Sequence, residues 1–222
     1  AGGSGFLGRK LAKRLMVEGH RVVTLTRKAN VSDAITWAPD GSPGGLPAAL
    51  DGVQAIVNLA GEGIADRRWT ESRKEAIRVS RVLSTRTLVR AVAACANPPR
   101  VFISASGVGY YGPRGDEVVT ESGNAGEDFL ARVCVEWEQE ARAVESPRTR
   151  LAVVRTGLVL DRDEGALAKM LLPFKMGLGA TIGSGTQYMP WIHVADWTAM
   201  VSWLITEERA SGAFNASAPS PV

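Results

Sequence analysis

The chain is short of the residues that most often carry metal and thiol chemistry. Its 222 residues include 2 cysteines and 2 histidines. Cys95 and Cys134 lie far apart, in stretches of helical pattern. They match neither the close spacing of a zinc site nor a disulfide framework. Both read as buried thiols of a cytoplasmic protein, and no metal is expected. No apolar run reaches the roughly 20 residues of a membrane span, so no membrane partner is expected. A strong charge of one sign is also lacking. Lysine and arginine total 26 against 23 acidic residues, giving +3 and a pI near 9.1. The basic residues are dispersed, as at Arg9, Lys10, Lys13 and Arg14, which implies no nucleic acid. What remains is ordinary globular material, 45% apolar and 22% charged, enough for one domain with a small lobe.

The first residues, AGGSGFLGRKLAKRL, place Gly2, Gly5 and Gly8 in a turn that runs straight into apolar residues at helical spacing. Gly19 and His20 end that helix, His20 as a structural turn residue, and RVVTLTR follows as a strand. Glycine turn, helix and strand in this order form part of a dinucleotide-binding βαβ unit. Phosphates approach the backbone too closely for side chains, and the helix N-terminus offers free N–H groups and a positive dipole end. The unit requires a strand before the turn, which is expected to precede Ala1.

Further along, strands and helices alternate. Strands are expected at 34–37, 53–61, 100–106 and 150–160, and helices at 70–96, 126–145 and from 165 onward. A short strand and turn are expected within 180–196, then a helix from Asp196, and FNASAPSPV reads as a closing loop. The Gly- and Pro-rich stretch WAPDGSPGGLP reads as loop. The Met170–Leu171–Leu172 run reads as core or pocket wall. This alternation predicts an α/β fold, a Rossmann-like doubly wound parallel sheet with helices on both faces. Residues 1–160 would form the dinucleotide-binding domain, and 161–222 substrate-lobe material interleaved with the last sheet elements.

In such a sheet, ligands bind at the carboxyl ends of the strands. The first strand end reads Thr26, Arg27, Lys28, with no acid to accept from a ribose hydroxyl. An arginine there suits a 2′-phosphate, which favours NADP(H) over NAD(H). The next, Asn58 followed by Leu59, Ala60, Gly61 and Glu62, has small residues that let the backbone pass over adenine and ribose. The third offers Ser104 and Ser106, whose hydroxyls are candidates for the nicotinamide or substrate. The fourth runs from Arg155 to Leu160, a candidate wall for the nicotinamide.

The motifs GGSGFLG, NLAGE, SASGVGYYG, RTGLVL and WIHVADW resemble those of extended and atypical short-chain dehydrogenase/reductases. The longer stretches NLAGEGIADRRWTESRKEAIRVSR, DFLARVCVEWE and MLLPFKMGLGATIGSG resemble its epimerase-like subfamily, of nucleoside-diphosphate-sugar epimerase or cell-division-inhibitor-homologue type. The resemblance covers the whole chain. It implies NADP(H) held by Gly2, Ser4, Gly5, Phe6, Leu7, Gly8, Thr26, Arg27, Leu59, Ala60 and Arg81, with Arg81 facing the cofactor phosphates. It also implies a small-molecule or nucleotide-sugar substrate, a C-terminal substrate lobe continuing past Val222, and leaves a homodimer open. RDEG at 162–165 departs from the family's glycine-rich loop.

The larger family transfers protons through a Tyr-x-x-x-Lys pair, which places both side chains on one helix face. Here the lysines stand at 10, 13, 28, 74, 169 and 175, and none has tyrosine four residues earlier. On the helix containing DFLARVCVEWE, Phe129 and Val133 are expected at the pair's positions. The candidate catalytic residues are therefore Ser106, Tyr110 and Tyr111. His193 reads as a structural residue that caps a helix. Two functions follow: an NADP(H)-dependent enzyme with a rewired acid/base, or a non-catalytic NADP(H) sensor.

Overall fold

Alternate residues of the central strands face opposite ways, and both directions are apolar. The computed structural model describes residues 1–28, 31, 34–179 and 184–222. In β4 (Val101–Gly107), Phe102 packs into one core, and Val101 and Ile103 pack into another. In β5 (Arg150–Thr156), Leu151 and Val153 join the first core, Ala152 and Val154 the second. A strand buried on both faces needs helices on both faces.

The first core is covered by α2 (Leu46–Leu50), α3 (Glu71–Ala93) and α4 (Phe129–Arg142). The second is covered by α1 (Phe6–Val17) and α6 (Val194–Thr206), where Trp197 and Leu204 are fully buried. The main sheet is parallel throughout, in the order β3 (Ala55–Asn58), β4, β5, β8 (Gly212–Ala216). Two further parallel pairs flank it, β1 (Thr24–Thr26) with β2 (Ala34–Thr36) and β6 (Leu158–Leu160) with β7 (Trp191–His193). Ala1 lies along β3, its backbone nitrogen donating to the Val57 carbonyl at 2.7 Å and its carbonyl accepting from the Leu59 N–H at 3.1 Å. The fold is the Rossmann-like α/β sheet that the alternation predicts.

Two expectations are corrected. The loop assigned to 37–47 ends in α2, since Leu46 and Leu50 bury an apolar edge despite the surrounding glycine and proline. The closing loop begins instead as β8, where Ala213 to Ala216 pair with β5. Helix starts follow local chemistry. The Thr70 hydroxyl accepts from the Arg73 N–H, and the Asp128 carboxylate accepts from the Ala131 N–H. His193 caps α6 by accepting the Ala195 N–H at Nδ1. α5 (Gly165–Lys175) follows β6. The expectations for 180–183 and for the Leu172 side chain lie outside the described residues.

Candidate functional site

The glycine turn lies against the end of β3. Gly2 adopts φ +74°, and a Cβ there would stand 2.6 Å from the Leu59 carbonyl carbon. A Cβ on Gly8 would fall inside the Gly2 carbonyl oxygen and 2.6 Å from the Gly3 Cα. Only hydrogen fits at either position, so the turn can fold tightly under the first turn of α1. That helix has no side-chain cap and no acid in its first turn. Its N–H groups and dipole end are therefore open to an anion. Ser4 is exposed beside it, and Phe6 and Leu7 are half-buried. α1 is stitched to the stretch where RDEG departs from the family pattern. Lys10 pairs with Asp161 at 2.7 Å, Arg9 pairs with Glu164, and Gly165 sits against the Phe6 ring. The bond to Lys10 holds the Asp161 carboxyl below its ordinary pKa.

At the end of β1, the Thr26 hydroxyl accepts from the Lys28 N–H. The Arg27 side chain is 72% exposed, and its ion-pair partner among the described residues is Glu62, at 4.0 Å. Leu59 and Ala60 are half-buried, and Gly61 is exposed. Buried Asn58 fixes this turn, accepting from the Ala60 N–H and donating to Thr85. Arg81 serves the same turn rather than facing open space. Its Nη1 donates to the carbonyls of Glu62 and Ile77, and its guanidinium lies over the Trp137 ring. Burial lowers its pKa from the ordinary value.

The other half of the strand ends is closed. The Ser106 hydroxyl donates to Glu138 at 2.7 Å, beneath the sheet edge. Glu138 takes two bonds from Arg155, and the two side chains are 2% and 3% exposed. Burial works against the Arg155 charge, yet its bonds to Glu138 and Tyr111 outweigh it and hold its pKa above the ordinary value. Arg155 Nη1 also donates to the Tyr111 hydroxyl, which donates to Asn215. Ser104 is fully buried and donates to a backbone carbonyl. So the hydroxyls of Ser104, Ser106 and Tyr111 are all engaged within the protein. Tyr110 differs. Its ring covers the Arg155 guanidinium, 3.5 Å from the ring centroid, and its hydroxyl has no hydrogen-bond partner among the described residues. Leu160 ends β6 opposite His193.

The helix face turned toward Ser106 corrects the expected positions on α4. Leu130 meets Gly109, the Cys134 thiol meets the Gly107 carbonyl at 3.8 Å, and Glu138 meets Ser106. Residues 130, 134 and 138 share one face at a spacing of four. Phe129 turns away, edge-on to Trp69 at 5.5 Å. Neither Leu130 nor Phe129 transfers a proton. Burial pushes the Cys134 thiol up from its ordinary pKa. Glu138 is absent from the residues the sequence pointed to, and Arg155, expected at the nicotinamide wall, is instead buried against it. Glu138 could have been found from its place in the buried series Ala131, Cys134, Glu138, Ala141.

A glycine turn beneath an uncapped helix, at the carboxyl edge of a parallel sheet, defines the Rossmann-like dinucleotide-binding proteins. Within that class, the chain belongs to the NAD dependent epimerase/dehydratase family, whose model matches residues 1–217. An epimerase family protein of Mycobacterium tuberculosis is 40% identical over 223 residues, covering all of this chain and 73% of the relative. The crystal structure of human epimerase family protein SDR39U1 (isoform 2) with NADPH superposes with a TM-score of 0.90 at 37% identity, covering 99% of this chain and 73% of that one. A nucleoside-diphosphate sugar epimerase from Corynebacterium glutamicum gives 0.87 at 38% identity, over 100% of this chain and 46% of that one. No helix of the described residues is long and apolar enough to cross a membrane, and no acidic, histidine or cysteine cluster among them is placed to hold a metal.

Proposed function

We propose that the chain binds NADP(H) and works as an epimerase-like reductase on a small or nucleotide-linked carbonyl substrate. The observation that carries this reading is the pairing of the glycine cradle with Arg27, exposed at a strand end that bears no acid. Gly2, Ser4, Gly5, Phe6, Leu7 and Gly8 would hold the pyrophosphate, and Arg27 with Thr26 and Lys28 the 2′-phosphate. Leu59 to Glu62, braced by Arg81, would line the adenosine, and Ser104 and Leu160 would back the nicotinamide. Human SDR39U1, crystallised with NADPH, supports the choice of cofactor. When bound, the nicotinamide supplies or accepts a hydride.

The proton falls to Tyr110, whose hydroxyl has no hydrogen-bond partner among the described residues, with Arg155 under its ring as the fixed positive charge. Ser106 and Tyr111 position the loop that carries Tyr110. Residues from 161 onward, including α5, would flank the substrate. Calorimetric titration with NADPH, NADP, NADH and NAD tests the reading. Tight binding of the phosphorylated forms is expected, followed by turnover on a carbonyl or nucleotide-sugar panel that Tyr110→Phe abolishes. Binding of none of the four would overturn it.

The face of α4 favours a second reading. Leu130 and Cys134 stand where a proton-transfer pair would face the site, which suits a non-catalytic sensor. A sensor needs unequal affinity for oxidised and reduced cofactor. Equal affinity would remove it.

A further inference from the structure

Arg73, on the first turn of α3, is absent from the residues the sequence pointed to. It converges with Arg27 on one carboxylate. Arg73 Nη1 donates to Glu62 at 3.1 Å, and Arg73 also donates to the Gly63 carbonyl. The Arg73 side chain is 15% exposed, so this half of the contact is fixed. The other half is loose, because Arg27 is 72% exposed and stands 4.0 Å from Glu62, an ion-pair distance without a hydrogen bond. The Glu62 backbone is clamped on both sides, its N–H donating to Ser80 and its carbonyl accepting from Arg81, both at 3.0 Å. A carboxylate is thus held beside the guanidinium that would read a cofactor phosphate.

We propose that Glu62, held by Arg73, is an internal counter-ion that the cofactor's 2′-phosphate displaces from Arg27, and that this competition limits the preference for the phosphorylated cofactor. The inference rests on the NADP(H) reading above. A phosphate monoester carries about −1.5 to −2 charges at neutral pH, more than one carboxylate, so it wins Arg27 while still opposed by Glu62. A dinucleotide without that phosphate leaves the Arg27–Glu62 contact in place.

The test is equilibrium binding of NADPH, NADH, 2′,5′-ADP and 5′-AMP to the wild-type protein and to E62Q, R73Q and their double variant at low salt. E62Q is expected to tighten NADPH and 2′,5′-ADP about three- to tenfold, while NADH and 5′-AMP shift by less than about twofold. R73Q is expected to weaken NADPH in the wild-type background and to be silent in E62Q. Unchanged NADPH affinity in E62Q would overturn the proposal. So would a loss of NADPH and NADH alike, which would make Glu62 a ribose ligand. A wild-type preference for NADPH that R27A removes keeps the cofactor reading standing whatever E62Q does. A wild-type protein that binds neither dinucleotide overturns both.

Discussion

The two halves of the sheet's carboxyl edge are built on opposite principles. The half around the glycine turn leaves its polar groups open, with the N-terminus of α1 uncapped and Arg27 largely exposed. The half around Ser106 closes them on one another, in a chain from Ser106 through Glu138 and Arg155 to Tyr111 and Asn215. A buried polar group must find a partner inside the protein, so the closed half is a structural joint. An open one is available to a ligand. Tyr110, stacked on Arg155 of the closed half, differs from its neighbours in having a hydroxyl with no hydrogen-bond partner among the described residues.

The largest effect should come from the closed half. Glu138→Ala leaves Arg155 buried without its carboxylate and should cost about 3–5 kcal/mol in urea unfolding. A loss within about 1 kcal/mol would break the comparison. In the open half, Gly8→Ala drives a methyl into the turn. It should cost about 1–3 kcal/mol and abolish NADPH binding; normal binding would show that the cradle is not the cofactor site. Arg27→Ala should leave unfolding unchanged and weaken NADPH about tenfold while sparing NADH. The thiol of Cys134, raised by burial, should react slowly with a disulfide reagent at pH 8 until the protein unfolds. Fast labelling of the native protein would instead open the α4 face. The smallest effect is on acid stability. Asp161 is held below its ordinary value of 3.8, chiefly by Lys10. Its contribution is present above that value and is lost as the pH falls through the depressed one. Asp161→Asn should therefore lower stability at neutral pH, and the gap to the wild type should close on acidification.

The open half was more legible in the sequence than the closed half. Glycine spacing before a helix, and a strand end without an acid, are local signals that survive without coordinates. The closed network is spread over residues 106, 111, 138, 155 and 215, and only folding brings those together. Tyr110 and Tyr111 are neighbours in sequence, yet Tyr111 is buried and hydrogen-bonded and the Tyr110 hydroxyl has no partner among the described residues, a distinction that composition cannot carry. β8 was missed because Phe214 is flanked by small and polar residues, and the strand exists through its pairing with β5. The positions on α4 were misread by one residue. A single step turns a helix by roughly 100° and exchanges Leu130 for Phe129.

Thermal unfolding of the wild type, Arg27→Ala and Glu138→Gln, each with and without NADPH at about ten times the wild-type Kd, tests the division most directly. A ligand that binds the native state raises its melting temperature. The account predicts that Arg27→Ala melts like the wild type without cofactor and loses most of the NADPH-induced rise. It predicts that Glu138→Gln melts lower and keeps the rise. Loss of the rise in Glu138→Gln with its retention in Arg27→Ala would contradict the account.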